Sequence, residues 1–468
     1  MDYKNLKIGL EIHQQLDGKK LFCSCPCIIK DENPDFKLKR YLRVSASELG
    51  KTDQAALYES QKRKYFIYEG YNDTNCLVEI DESPPEELNK KALEIAIQIS
   101  HLLKASIVDQ IQFMRKIVID GSNVSGFQRT ALISTGGSIE TSEGKIKISS
   151  VCLEEEAAKK LEDTKEFRRY NISRLGIPLI EIATEPDIKS ALGAKEAAEK
   201  IGMILRSLEG IKRGIGTIRQ DINLSIDGHP KVEIKGFQDL KSIPKVVEYE
   251  IKRQVNSKEK KSEVRKAEPD FTTSFLRPMP GASRMYPETD IPVIYLNNKL
   301  LNKIKIPELI SAKVENLEEL YDLQSDLARE IIKKSINFEH FVNQYRNLNA
   351  NIIARILIEV PKEIKSRMNL DISKLTEDNF HEVLELINDG KINKNSAIDI
   401  LSELIINGKI DVKKYELTPE MELEKEIIKI IKENKHLSFN AVMGEAMKKF
   451  KGKADPKNIS EIVKRFKK

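Results

Sequence analysis

Tryptophan is absent from the chain and aromatic residues make up only 6% of it, so a stacking platform for single-stranded nucleic acid is not expected. No run of 18 apolar residues occurs, and the N-terminal MDYKNLKIGLEIH has no apolar signal region. A soluble cytoplasmic protein with no membrane partner is the expectation. Cysteines are few and odd in number, at five, with three of them crowded into Cys23-Ser24-Cys25-Pro26-Cys27. Such neighbours pair poorly with one another, which disfavours a disulfide framework and favours thiolates on a metal. The common nucleotide motifs are also missing. No Gly-x-Gly-x-x-Gly occurs, and Ser45-Ala46-Ser47-Glu48-Leu49-Gly50-Lys51-Thr52 has a serine where a P-loop needs its first glycine. Any ATP chemistry therefore uses a different kind of site.

What is present suffices for packed cores. The 468 residues are 40% apolar, and their 32% charge is nearly balanced at net +5, which excludes a disordered polyelectrolyte and predicts two to four domains. Residues 1–295 read as strand-rich with interspersed helices. Leu6–Ile12, Lys145–Val151, Ile177–Ala183, Thr217–Ile226 and Lys231–Lys235 alternate or run apolar as strands do. Glu87–Leu103 and Ser190–Leu208 carry the 3.6-residue period of amphipathic helices. After Pro292 glycine becomes rare, and helical spacing continues to the stop signal Asn407-Gly408. The expectation is an α+β fold: a strand-rich catalytic cradle (1–295), an all-helical domain (296–412) and a small helical tail (413–468). The tail is basic, with nine Lys or Arg against two acidic residues over 448–468. That pattern suits either a solvated helical face or a salt-sensitive phosphate-binding patch.

Carboxylates recur inside strand-like, apolar settings. Glu11 and His13 share one face of a strand; Glu154-Glu155-Glu156 follows Ser149-Ser150-Val151-Cys152-Leu153; Glu181 lies within Pro178–Ala183. Asp221 and Asn223 alternate, as do Glu233 and Lys235. A buried carboxylate is costly unless paired or bound to a cation. Several on successive strands predict one polar cleft whose hard oxygens and single imidazole suit Mg²⁺ or Mn²⁺, and hence phosphoryl transfer without a P-loop. For the thiols, Cys76 is the candidate fourth partner of Cys23, Cys25 and Cys27 in a zinc site. A four-thiol site, a three-cysteine site and no zinc all remain open.

These residues, in this order, resemble the GatB/GatE family, the tRNA-binding, kinase-bearing subunits of the amidotransferases that make Gln-tRNA(Gln) or Asn-tRNA(Asn) from misacylated precursors. The resemblance rests on GLEIHQQLDGKKLFCSCPC, NDTNCLVEIDESPP, MRKIVIDGSNVSGFQRTALISTGG, CLEEEAAKK, SRLGIPLIEIATEPDI, IRQDINLSI, FLRPMPGASRMYPETDIP and, in the tail, AMKKFKGKADPKNISEIVKRF. The wording looks closer to archaeal GatE than to bacterial GatB. An aspartyl-tRNA-synthetase-like insertion, which such proteins carry after the segment matching Glu250–Gln254, is missing. Asn171-Ile172-Ser173-Arg174 also departs from the family, where a carboxylate is common.

The resemblance implies a ligase. ATP phosphorylates the side-chain carboxylate of glutamate carried on tRNA(Gln), and ammonia then displaces phosphate. It implies Mg²⁺ on His13, Glu155 and Glu181, with Glu11 as a further catalytic residue and Asp221 and Glu233 at its margin. Arg115, Lys116, Arg174, Lys235 and Arg284 are then partners for phosphate charge. Lys448, Lys449, Lys451, Lys453 and Lys457 would touch tRNA. No Gly-Gly-Ser-Ser-type amidase signature occurs. The resemblance therefore implies an ammonia-producing partner, either GatD-like and asparaginase-related or a GatA-like amidase. Alternatives are a B-type protein also acting on Asp-tRNA(Asn), or a catalytically silent tRNA-binding component.

Overall fold

The computed structural model describes every residue except 1–4, 47–49, 51, 238, 258, 282–284, 335, 419, 434–437, 451–452, 455 and 467–468. The chain divides into two compact units, Met1–Ile310 and Ser311–Lys468. The first is α+β and the second helical, the fold class expected; the division falls at 310, where the sequence patterning places one at 295 and another at 412.

The first unit is built on a twelve-stranded sheet, ten strands of which form one path. In chain order these are β1 (Lys7–Gln15), β2 (Phe113–Ile117), β3 (Phe127–Thr135), β4 (Gly144–Glu155), β5 (Pro178–Thr184), β6 (Ile218–Ser225), β7 (Val232–Phe237), β8 (Glu263–Ala267), β9 (Thr273–Pro278) and β10 (Met285–Pro287). Their spatial order is β9-β8-β7-β6-β1-β5-β4-β3-β2-β10. Neighbours run antiparallel except β7 and β8. The first strand of the chain therefore lies mid-sheet, between β5 and β6.

Alternation gives this sheet two unlike faces. Ile8, Leu10, Ile12, Val151, Leu153, Ile180, Ile182, Ile222, Leu224, Val232 and Ile234 lie at 0–1% exposure in one apolar cluster. The cluster includes buried residues from helices α1 (Lys90–Leu102), α2 (Ala191–Arg206) and α3 (Ile243–Asn256). The helix predicted from Glu87 starts at Lys90, because the Asn89 side chain accepts from the Lys91 and Ala92 N–H groups and caps it there. Helix α3 leads into β8 through residues 257–262, so no inserted domain separates them.

A smaller four-stranded sheet orders Lys159–Asp163, Phe167–Asn171, Tyr65–Gly70 and Phe36–Arg40 side by side. Its inner face packs Phe66, Tyr68 and Tyr170 with Val124 and Ile172.

In the second unit, helices include Ser325–Lys333, Ala350–Met368, Glu377–Asn388 and Ala397–Asn407. The last of these stops on Gly408 at φ 70, where a side chain would be strained, as Asn407-Gly408 predicts. Glu420–Glu433, Phe439–Lys449 and Pro456–Phe466 enclose a separate cluster around Leu423, Ile427, Val442, Ala446, Ile459 and Val463.

Candidate active site

The face of the large sheet opposite the apolar cluster is polar, and strand register assembles it. On β1, His13 pairs with Glu181 of β5 on one side and Arg219 of β6 on the other. Glu11 pairs with Asp221 of β6. Glu181 faces Cys152 of β4, Leu179 faces Glu154, and Glu154 faces Thr130 of β3.

Two oxygen-rich clusters result. In the first, one ligand atom each of His13, Glu154 and Glu181 lies within 4.8 Å of the others. His13 Nε2 stands 3.2 Å from Glu181 Oε2. Glu154 receives Lys116 Nζ at 2.5 Å, the Thr130 hydroxyl at 2.7 Å and the Gln128 amide at 3.0 Å. Lys116 Nζ is also 3.8 Å from Glu181. Burial disfavours a charged His13, but the adjoining Glu181 carboxylate outweighs it and holds the imidazole above its ordinary pKa. Burial likewise opposes ionised Glu181, yet Lys116 and His13 hold its carboxyl well below the usual range.

In the second cluster, carboxylate oxygens of Glu11, Asp221 and Glu233 also lie within 4.8 Å of one another. Lys235 Nζ reaches Asp221 at 2.6 Å and Glu233 at 2.5 Å, and Asn223 donates to Glu11 at 2.9 Å. Burial, then Glu233 and Glu181, raise the Glu11 pKa, while Lys235 holds Asp221 low against burial. Gly236 at φ 99 turns its N–H onto Asp221 at 3.3 Å, a conformation a side chain would resist.

Of the residues singled out by sequence, Glu11, His13, Lys116, Glu181, Asp221, Glu233 and Lys235 come together here. Glu155 does not. It follows Glu154 in the strand and therefore points to the other face, where Arg129 Nη1 meets it at 3.3 Å. Glu154 takes its place in the cluster. The alternation Val151-Cys152-Leu153-Glu154 carries that signal, since Val151 and Leu153 are core residues. Arg115 also leaves the cleft and pairs with Glu288 at 2.5 Å and Asp290 at 3.1 Å. Arg174 donates to the carbonyls of Ala157 and Ala158. Arg284 lies outside the described residues. Asn171 and Ser173 close a buried turn, the Asn171 Oδ1 accepting from the Ser173 N–H and hydroxyl, and they are no part of either cluster.

The thiols form a third group. All five cysteines are free. Cys23, Cys25 and Cys76 gather within 4.8 Å, and their companion is Glu79 rather than Cys27. The Cys23 thiol donates to Glu79 at 2.8 Å, and the Cys76 N–H to its other oxygen at 2.8 Å. Cys27 is buried apart, with burial pushing its thiol up to about 12 against the charges of Lys212 and Lys20. Cys76-x-x-Glu79 is the sequence signal for the fourth donor. Thiolate and carboxylate are both zinc ligands, so three thiols and Glu79 supply the four donors of a tetrahedral site.

In the tail, Lys449 is engaged with Glu426 at 2.5 Å. Lys448, Lys453 and Lys457 belong to the same three-helix tail, and Lys451 lies outside the described residues.

An open sheet with one face packed on helices and the other gathering imidazole, carboxylates and ammonium groups is a cradle suited to a divalent cation and phosphate. Comparison with known proteins places that class. Residues 6–302 match the GatB/GatE catalytic domain, and residues 337–466 match the GatB domain. The E subunit of the glutamyl-tRNA(Gln) amidotransferase of Methanocaldococcus jannaschii is 36% identical over 617 aligned positions, covering 98% of each chain. That of Archaeoglobus fulgidus is 36% identical over 610 positions, covering 99% of this chain and 98% of its own. The chain belongs to the GatB/GatE family. An alignment of 617 positions exceeds the 468 residues here, so these relatives carry a long stretch that this chain lacks.

Proposed function

We propose that the chain is the kinase and transamidase component of a glutamyl-tRNA(Gln) amidotransferase, E-type rather than B-type. The carrying observation is the convergence of His13, Glu154 and Glu181 on one face of a family-matched sheet. The E-type assignment is supported by relatives at 34–36% identity over nearly the full length, all of them named as E subunits.

A carboxylate is a poor acyl electrophile. ATP transfers its γ-phosphoryl group to the side-chain oxygen of tRNA-borne glutamate, releasing ADP. Ammonia attacks the acyl carbon, the C–O bond to phosphate breaks, and the amide and inorganic phosphate leave. The donor set of His13, Glu154 and Glu181, with Glu11, Asp221 and Glu233 beside it, fits Mg²⁺, which when bound neutralises phosphate charge. Lys116 and Lys235 bring ammonium charge to the same face, where the transferring group is steadied by position and charge rather than by covalent help. Thr130 and Gln128 hold the Glu154 carboxylate in one orientation.

The partners are misacylated Glu-tRNA(Gln) and an amidase that supplies ammonia, GatD-like if the E-type assignment holds. The basic tail is a tRNA contact, and Cys23, Cys25, Cys76 and Glu79 are a structural zinc clip. The work of such a protein lies in cytoplasmic protein synthesis. No helix among the described residues is long and apolar enough to cross a membrane.

The test supplies radiolabelled ATP, Glu-tRNA(Gln) and exogenous ammonium to the purified chain. ADP and Gln-tRNA(Gln) are expected. Neither product from a folded, tRNA-binding protein would make it a silent component.

A further inference from the structure

Few as the aromatics are, the fold gathers three of them on the outer face of the four-stranded sheet. Tyr65 and Phe167 pair across adjacent parallel strands. Their rings stack at 5.6 Å between centroids and 27° between planes. Tyr41, just past the end of the edge strand Phe36–Arg40, adds a third ring 5.9 Å from Tyr65 and is 67% exposed. Lys39 Nζ lies 4.0 Å from the Tyr65 ring centre and 5.5 Å from that of Tyr41.

Cations outnumber open carboxylates around this ladder. Two acids on this face are neutralised, Glu69 by Lys37 and Arg169, both at 3.0 Å, and Glu162 by Arg169, whereas Glu166, between Lys165 and Phe167, is exposed and makes no ion pair among the described residues. Asp163, which pairs in register with Arg168 and so turns to the inner face, is held by Lys64 at 2.5 Å and Arg168 at 2.9 Å. Lys39, Arg63 and Lys165 make no ion pair among the described residues, and all three are exposed. Arg63 precedes Tyr65 in a turn at φ 49, and Lys165 precedes Phe167 in the loop whose Glu166 carbonyl accepts from the Tyr65 N–H. Three cations without a described carboxylate partner thus border an aromatic ladder whose outermost ring is open to solvent.

We infer that this outer face is an RNA contact, distinct from the tail, on which an unpaired nucleotide stacks against Tyr41 while Lys39, Arg63 and Lys165 meet the flanking phosphates. A ring offers a sequence-tolerant surface to any base, and exposed cations beside it track the backbone. A protein partner recognised here would need acidic complementarity to the cations and apolar area to cover, and the exposed apolar part is narrow. The inference rests on the proposed role in acting on tRNA.

The experiment measures binding of a transcribed tRNA(Gln) to the full chain against salt concentration. Tyr41→Ala is expected to weaken binding about fivefold or more, with Tyr41→Phe close to wild type. Lys39→Gln is expected to lower the salt slope by about one. Photocrosslinking with thiouridine-substituted tRNA should mark the peptide holding Tyr41. Wild-type affinity in both Tyr41→Ala and Lys39→Gln, while the unaltered chain binds tRNA, overturns the inference. So does loss of a copurifying amidase from Tyr41→Ala with tRNA binding intact, which would make the face a protein interface. Failure of the unaltered chain to bind tRNA would instead strike the proposed function.

Discussion

Glu154 and Glu155 are neighbours in one strand and serve opposite faces of the sheet. Glu154 meets Lys116, Thr130 and Gln128 above the polar cleft, whereas Glu155 meets Arg129 below it. Their neutral variants should therefore behave differently. Glu154→Gln is expected to weaken Mn²⁺ binding by about a hundredfold, and Thr130→Val, which frees the carboxylate to rotate, by about tenfold. Glu155→Gln should leave the cation affinity unchanged. Electron paramagnetic resonance titration reads all three, and equal losses in Glu154→Gln and Glu155→Gln would contradict the arrangement.

Glu181 is shared by His13 and Lys116, at 3.2 and 3.8 Å. Glu181→Ala is expected to abolish ADP formation while tRNA affinity stays at the wild-type value. A parallel collapse of tRNA binding would make Glu181 structural.

For the thiol cluster, the expected pattern is one zinc per chain, lost in Cys25→Ser and Cys76→Ser and kept in Cys27→Ser. Glu79→Ala should also lose it, because Glu79 supplies the fourth donor. Metal analysis of the purified variants decides this, and zinc loss in Cys27→Ser would restore the four-thiol site.

Glu156 tests the electrostatics of the first unit. It is buried among Arg219 at 2.7 Å, Gln15 at 2.9 Å and Arg174 at 4.0 Å. Burial alone would raise its pKa, but Arg219 and Arg174 bring it down to about 2. A carboxyl whose folded pKa lies below its unfolded value stabilises the fold fully above the unfolded pKa, and that contribution fades as pH falls toward the folded one. Glu156→Gln should thus cost about 3 kcal/mol at neutral pH. Denaturant midpoints for the two proteins should converge between roughly pH 5 and pH 2. A pH-independent gap would mean that packing, not charge, is what the substitution removes.

Ile12 lies between Glu11 and His13 but faces the core at 0% exposure. Ile12→Ala is expected to cost about 2–5 kcal/mol in urea unfolding. Cation affinity should stay at the wild-type value in the folded variant, since the polar face is untouched.

Much of the architecture is legible in period-two alternation. Leu6–Ile12 and Lys231–Lys235 each announce one greasy and one charged face, and the fold keeps both. That signal says which side chains share a face within a strand, not which strands are neighbours. The pairing of His13 with Glu181, 168 residues away, has no local trace. The resemblance puts Glu155 in the cleft, whereas counting outward from Val151 and Leu153 along the same strand assigns the cleft to Glu154. Glu79 is harder to find, because a carboxylate completing a thiol cluster has no spacing rule as sharp as paired cysteines have. Lys449 shows the limit of counting basic residues, since a lysine can spend its charge on a neighbouring helix.

The mid-sheet position of β1 has a consequence for biosynthesis. The strand that carries Glu11 and His13 leaves the ribosome well before its two neighbours, β5 and β6, which end at Thr184 and Ser225. Until they arrive, its apolar face and both its edges are without their native cover, and pairing across such sequence separations is slow. The cleft therefore closes late in synthesis: the cluster of His13, Glu154 and Glu181 waits for β5, and that of Glu11, Asp221 and Glu233 waits for β6 and β7. A fragment ending before β6 lacks Asp221, Glu233 and Lys235 and cannot assemble the second cluster, whatever its first cluster retains.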